Sequence, residues 1–315
     1  MSWLAHIRRD PVPWLLDPEN PSARLLTLRH IFRRPETSLE ADYRAVLAWK
    51  PVQTLLRYAD PISFWGRADA PFFGAAAGTF GVLYTLAQMS APPAGIIRDA
   101  CDHLLARGRL ADGRFAPHAA EPAVWFCYTG MAVQLLTHFG LGDDPRLESS
   151  RQMLVQAILK QPELLRCPIA GGECAAGMVK ALAGLESRPE AMRTADETLA
   201  IQRLAEKLLR WPFDWERREA DWLRLRFNRY YETDLLELTH LLALAVAGES
   251  LRLREFAARL ETLQDEEGRW HKTRLAANDM QIERIFQPSR WLTFEAVHTL
   301  MLIYGGNTYA AGGAA

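Results

Sequence analysis

Trp125-Phe-Cys-Tyr-Thr-Gly-Met-Ala-Val-Gln-Leu-Leu-Thr-His-Phe139 runs for roughly four helical turns without an Asp, Glu, Lys or Arg. At helical spacing Val133, Leu136 and Phe139 fall on one side, and Met131, Gln134 and Leu135 on another. A helix apolar on most sides is buried on most sides. The same layout returns at Gly172-Glu-Cys-Ala-Ala-Gly-Met-Val-Lys-Ala-Leu-Ala-Gly-Leu185, where again a Cys is followed three residues on by Gly-Met. The chain reads as repetitions of one buried helix, with its chemistry at the helix ends.

Outward from these two stretches, further apolar helices are expected to begin near residues 22, 72, 232 and 289. With those near 125 and 174 they recur every fifty-odd residues, a repeat period. Amphipathic helices are expected between them, at 93–107, 146–160, 189–210 and 249–264. Residues 10–21, with four prolines, read as an extended arm, and 211–230 as an irregular segment. No stretch alternates with period two. The expected fold is all-α: an α/α toroid of about six inner/outer helix pairs, in which closure buries the inner helices on both sides. Residues 1–304 form one domain in this reading, and 305–315 a Gly/Ala-rich flexible tail.

Composition narrows the function. The 315 residues are 49% hydrophobic and 24% charged, with a formal net charge of −1. That balance gives no general attraction to nucleic acid or an acidic membrane. Four cysteines, no secretory leader and no apolar run of about 18 residues suggest a reduced, cytoplasmic protein without a transmembrane segment. Ten tryptophans serve either inter-helix packing or the wall of a cavity.

Cys127 and Cys174 occupy corresponding starts of adjacent inner helices. Cys167 lies in the loop before the second and His118 in the loop before the first. On one rim these four side chains match the sulfur and nitrogen donors that zinc prefers. The alternative is a set of buried, inert thiols. In Tyr230-Tyr-Glu-Thr-Asp234, Glu232 and Asp234 are candidate catalytic acids at a cavity mouth, with Glu237 a turn further in. The competing reading of Asp234 is a helix cap. Trp125, Tyr128, Tyr230, Tyr231 and Trp291 cluster near inner-helix starts as candidate substrate-binding aromatics, with Arg229 as a candidate anion ligand.

Gln264-x-x-x-Gly268-x-Trp270 matches the QW signature of squalene cyclases, and Asp112-Gly-Arg-Phe115 looks like a degenerate copy. With the helix spacing, the chain resembles the terpenoid-cyclase and protein-prenyltransferase α/α-toroid superfamily, most of all its small bacterial single-toroid members. The resemblance implies an enzyme holding a hydrophobic, isoprenoid-type substrate in a central cavity; zinc at the rim is the cofactor expected from the cysteines and His118. Two motifs depart from it: the chain has no Asp-x-Asp-Asp acid motif and no aspartate-rich diphosphate motif. Trp125-Phe-Cys-Tyr128 and Cys174 echo the zinc cysteines of lanthionine cyclases, without the adjacent His. Two other classes stay open: a zinc-stabilised scaffold without turnover, and a carbohydrate-active toroid with paired carboxylates.

Overall fold

The computed structural model describes residues 2–72, 74–116, 126–161, 167, 171–246, 250–275, 282–305 and 309. Among these the fold is all-α, and extended pairing is limited to isolated bridges. The helices are α1 (Val12–Leu15), α2 (Pro21–Leu26), α3 (Glu40–Ala48), α4 (Lys50–Arg57), α5 (Thr79–Gln88), α6 (Ile96–Arg107), α7 (Phe126–Leu136), α8 (Pro145–Lys160), α9 (Ala175–Glu186), α10 (Ala195–Leu209), α11 (Leu235–Ala245), α12 (Leu251–Thr262) and α13 (Arg290–Tyr304). Apart from Gly305 and Tyr309, the expected 305–315 tail lies outside the described residues.

Local chemistry sets the boundaries. Pro51 sits in the first turn of α4, where its missing N–H costs nothing, and splits the 39–58 pattern into two helices. Thr194 and Glu197 form a reciprocal capping box on α10. Two expectations are corrected. The helix expected from Phe72 starts only at Thr79, because the glycine-rich run before it leaves helical geometry, with φ at Gly74 of +89°. The arm at 10–21 contains the short helix α1, since Pro13 falls in its first turn and Asp10 accepts from the Val12 N–H.

The apolar helices pack side by side. α5 lies against α7, α7 against α9, α9 against α11, α11 against α13, and α13 against α2. Ser22 joins the two ends of this series: its hydroxyl donates to the Met89 carbonyl just after α5 (2.7 Å) and accepts from Trp291 Nε1 on α13 (2.7 Å). The order of neighbours therefore returns to its start. α3, α6, α8, α10 and α12 back onto these helices from outside.

Among the inner helices, α7 and α9 pack closest. A Cβ placed on Gly130 would lie 2.1 Å from the Lys180 carbonyl oxygen, and one on Gly184 would lie 2.6 Å from the Gly130 oxygen. The two backbones touch, which only glycine permits. That explains the Gly-Met pattern in the first helix, and a further glycine, Gly184, answers it in the second.

Repeated tethers fix the loops at the N-terminal ends of the inner helices. The backbone N–H groups of Trp65, Phe115 and Trp270 donate to the hydroxyls of Thr79, Thr129 and Thr293 (3.3, 3.1 and 2.9 Å). The indoles of Trp65 and Trp270 donate to the carbonyls of Leu55 and Leu260, which end the preceding outer helices (2.8 and 2.9 Å). Matching turns precede Phe115 and Trp270, bridged Arg109 to Phe115 and Gln264 to Trp270, with Gly113 and Gly268 at positive φ. Gln264 also holds the N-terminal segment, donating to the His6 carbonyl and accepting from the Arg8 N–H.

Candidate functional site

The inner helices surround a cavity of about 310 Å³. Glu237, His240, Leu241 and Leu244 of α11 line it at i, i+3, i+4 and i+7 spacing, as do Trp291, Phe294, Glu295 and His298 of α13. Leu26 and His30, Tyr84 and Gln88, and Gln134 contribute from the segments around α2, α5 and α7, and Phe227 and Arg229 close it from the loop before α11. Leu26, Leu241, Leu244 and four aromatic rings make its wall largely apolar. Phe227 stacks on Trp291 with ring centroids 4.0 Å apart.

One ionic network runs along this wall. Arg229 donates from Nε to Asp234 (3.0 Å) and from Nη1 to both oxygens of Glu295 (3.0 and 2.8 Å). Asp234 is the N-cap of α11, accepting from the Glu237 N–H (2.9 Å) and also from the Arg226 N–H (3.1 Å). Glu237 in turn accepts from Lys180 Nζ at 2.7 and 2.8 Å. Lys180 and Asp234 are fully buried. Three carboxylates thus meet two cations, with Glu295 the most exposed of the three at 18%. Burial pushes the Glu295 carboxyl up to about 7; Arg229 pulls it back and Asp234 adds to the rise. Burial also lowers the Lys180 ammonium, against the pull of Glu237.

The histidines add no positive charge at neutral pH. His30 and His240 flank His298 with ring centroids 5.1 and 5.2 Å away. Burial first, then neighbouring cations and imidazoles, lowers His30 to about 4, His240 to about 3, and His298 well below its ordinary value.

Among the residues expected to bind substrate, Trp291 and Arg229 line the cavity. Asp234 stands behind Arg229, with its oxygens engaged by three N–H donors, so it acts as a cap and an ion-pair partner rather than a proton donor. Glu232 lies 3.7 Å from Arg226 and is not part of the cavity wall. Tyr128 and Tyr230 belong to a separate aromatic cluster, in edge contact at 6.2 Å and packed with Phe72 and Phe80. Tyr231 meets Tyr230 from the surface, 45% exposed. Trp125 lies outside the described residues.

Cys127, Cys167 and Cys174 do approach one another. Cys167 hydrogen-bonds Cys174, and both act electrostatically on Cys127. The Cys174 sulfur caps α9, accepting from the Gly177 N–H at 3.4 Å. Burial, then Cys174, pushes the Cys127 thiol up to about 12, and burial raises Cys174 as well. His118, the fourth expected ligand, lies outside the described residues. Among the described residues, no three His, Cys, Asp or Glu side chains stand close enough to hold a metal ion, so the described thiols do not by themselves fit zinc.

Sequence reading placed the chemistry at the rim and missed His30, Lys180, His240, Glu295 and His298. A signal was available for four of them: Lys180, His240, Glu295 and His298 are titratable residues on helices that are otherwise largely apolar, whereas His30 stands among arginines.

No protein-family model matches the chain, and no curated protein matches it. Among solved structures, the chain is similar to the type II terpene cyclase MstE from Scytonema in complex with merosterolic acid A, its product. Identity is 16% and the TM-score 0.31, over 84% of this chain and 97% of that one. A second structure of that cyclase, with geranylgeranyl dihydroxybenzoate as substrate, aligns with 16% identity and a TM-score of 0.31, over 84% of this chain and 96% of that one. Among the described residues no helix is long and apolar enough to cross a membrane.

Proposed function

We propose that the chain is an enzyme of the terpene-cyclase-like kind, acting on a small, largely apolar, isoprenoid-type molecule in its central cavity by proton transfer at Glu295. The observation that carries this reading is the cavity itself. Its volume falls at the lower end of the roughly 300–1,000 Å³ typical of ligand sites, and its wall combines apolar and aromatic surface with eight converging polar side chains. A carboxyl that titrates near 7 is matched to general acid–base work at neutral pH. Arg229 positions it from one side, and Phe227, Trp291 and Phe294 offer faces to an electron-poor centre.

The test is turnover. Small isoprenoid alcohols, epoxides and aldehydes are incubated with the protein and products followed by mass spectrometry. Glu295→Gln should remove product formation by about 100-fold or more, while circular dichroism stays that of the parent. Turnover undiminished in Glu295→Gln removes Glu295 from the chemistry. A zinc-stabilised rim is a second reading, in which a ligand outside the described residues would have to complete the neighbouring thiols of Cys127, Cys167 and Cys174. One zinc per purified chain, lost in Cys127→Ser and Cys174→Ser, would support it, and zinc-free protein of full stability would end it.

A further inference from the structure

The charge of the cavity wall points to the charge of its ligand. We propose that the central cavity binds an apolar molecule more tightly when it carries a single positive charge, as a hydrophobic ammonium ion does. This rests on the reading of the cavity as the ligand site, and goes beyond it by naming the ligand's electrostatic class.

Three observations lead there. First, the carboxylates of Asp234, Glu237 and Glu295 outnumber the two cations that hold them, Arg229 and Lys180. In a largely buried wall such an excess is costly and favours a compensating charge. Second, the cavity-lining histidines do not supply it, and the further cations that act on them, Arg29 and Arg33, stand in the segment after α2, Arg29 paired with Glu36. His30, His240 and His298 face Glu295 and Glu237 from the segment after α2 and from α11 and α13, and are held neutral. Tyr84 of α5 is held protonated, its phenol raised by burial and then by Glu237. Third, Tyr84, Phe227, Trp291 and Phe294 surround the same space, and aromatic faces attract cations. Arg229 does not repel such a ligand as a free guanidinium would, because Asp234 and Glu295 hold it with twice its charge.

Without a ligand, a proton on Glu295 can neutralise the wall. A cationic ligand competes with that proton, so the two are linked. Above pH 7 the wall is negative and cation affinity is at its highest. As pH falls through about 7, Glu295 takes up its proton and the affinity drops. A neutral ligand of the same shape has no such dependence.

The experiment uses isothermal titration calorimetry with the full chain and three probes of equal size: hexyltrimethylammonium, the neutral alkane of the same shape, and octanoate. At pH 8 the ammonium should bind at least about tenfold tighter than the alkane, with octanoate weaker than either. At pH 6 the advantage of the ammonium should shrink several-fold, and binding at pH 7 should release a fraction of a proton, read from buffers of different ionisation enthalpy. Glu295→Gln should lose the advantage and its pH dependence together. Because the pH series needs no variant, it stands even if that substitution disturbs the fold. Equal binding of ammonium and alkane at both pH values would overturn the charge inference and leave the cavity reading intact. Binding of none of the three would overturn both.

Discussion

Replacing Gly130 with alanine tests the packing that shapes the cavity. The new methyl would lie 2.1 Å from the Lys180 carbonyl oxygen, 2.5 Å from its carbon and 2.7 Å from the Ala181 nitrogen. All three are backbone atoms of α9, so no side chain can swing away. Relief requires α7 and α9 to part by about 1 Å along a contact that is otherwise close-packed. Overpacking of this kind costs typically 1–3 kcal/mol and sometimes more, and the rigid surroundings place Gly130→Ala at about 3 kcal/mol or above. With a urea dependence of about 3 kcal/mol per molar for a chain of this size, the unfolding midpoint should fall by about 1 M. Gly172→Ala is the control: nothing lies within 4 Å of its added methyl, so it should stay within about 0.5 kcal/mol of the parent. The assay is equilibrium urea unfolding followed by circular dichroism at 222 nm. If Gly130→Ala unfolds at the parental midpoint, the two backbones do not touch and the inner wall is not built as described.

Four further outcomes are expected. Trp65→Phe and Trp270→Phe each leave the carbonyl of Leu55 or Leu260 without its indole donor, and should each cost about 1–3 kcal/mol in the same unfolding assay. Lys180→Met strands Glu237 in the wall and should cost about 3–5 kcal/mol, with the double change Lys180→Met, Glu237→Leu recovering much of the loss. Between its ordinary value of 4.5 and its folded value of about 7, Glu295 holds a proton in the folded chain that the unfolded chain has released, so its contribution to stability is lost as pH rises through that window. Glu295→Gln should therefore gain on the parent by at most about 3 kcal/mol between pH 4.5 and 7, read from denaturation midpoints across pH. His30 works in the opposite sense: it is neutral when folded, so it removes stability as pH falls from 6.5 toward 4, and His30→Phe should blunt acid unfolding.

The all-α class was legible because it depends on periodicity. Trp125–Phe139 and Gly172–Leu185 announce buried helices by lacking charge, and the spacing of such stretches gives the repeat. Helix starts were less legible. Gly74 and Gly78 turn an apolar run that composition favours as helix into a bend, and α5 opens only at Thr79. The site was least legible. Rim residues such as Cys127 and Glu232 stand beside motifs and attract notice, while Lys180, Glu237 and Glu295 are single charges within apolar helices. Only three-dimensional packing shows that Lys180 faces Glu237 and that Arg229 reaches from a loop to Glu295, 66 residues further along the chain.

The central claim is that a molecule fits among α2, α5, α7, α11 and α13. Calorimetric titration of the parent and of Leu241→Trp with farnesol measures this directly, because Leu241 lines the cavity and an indole there fills it. The parent should bind one farnesol per chain while the filled variant, equally folded by circular dichroism, binds none; equal binding by both would place the ligand elsewhere and contradict the account.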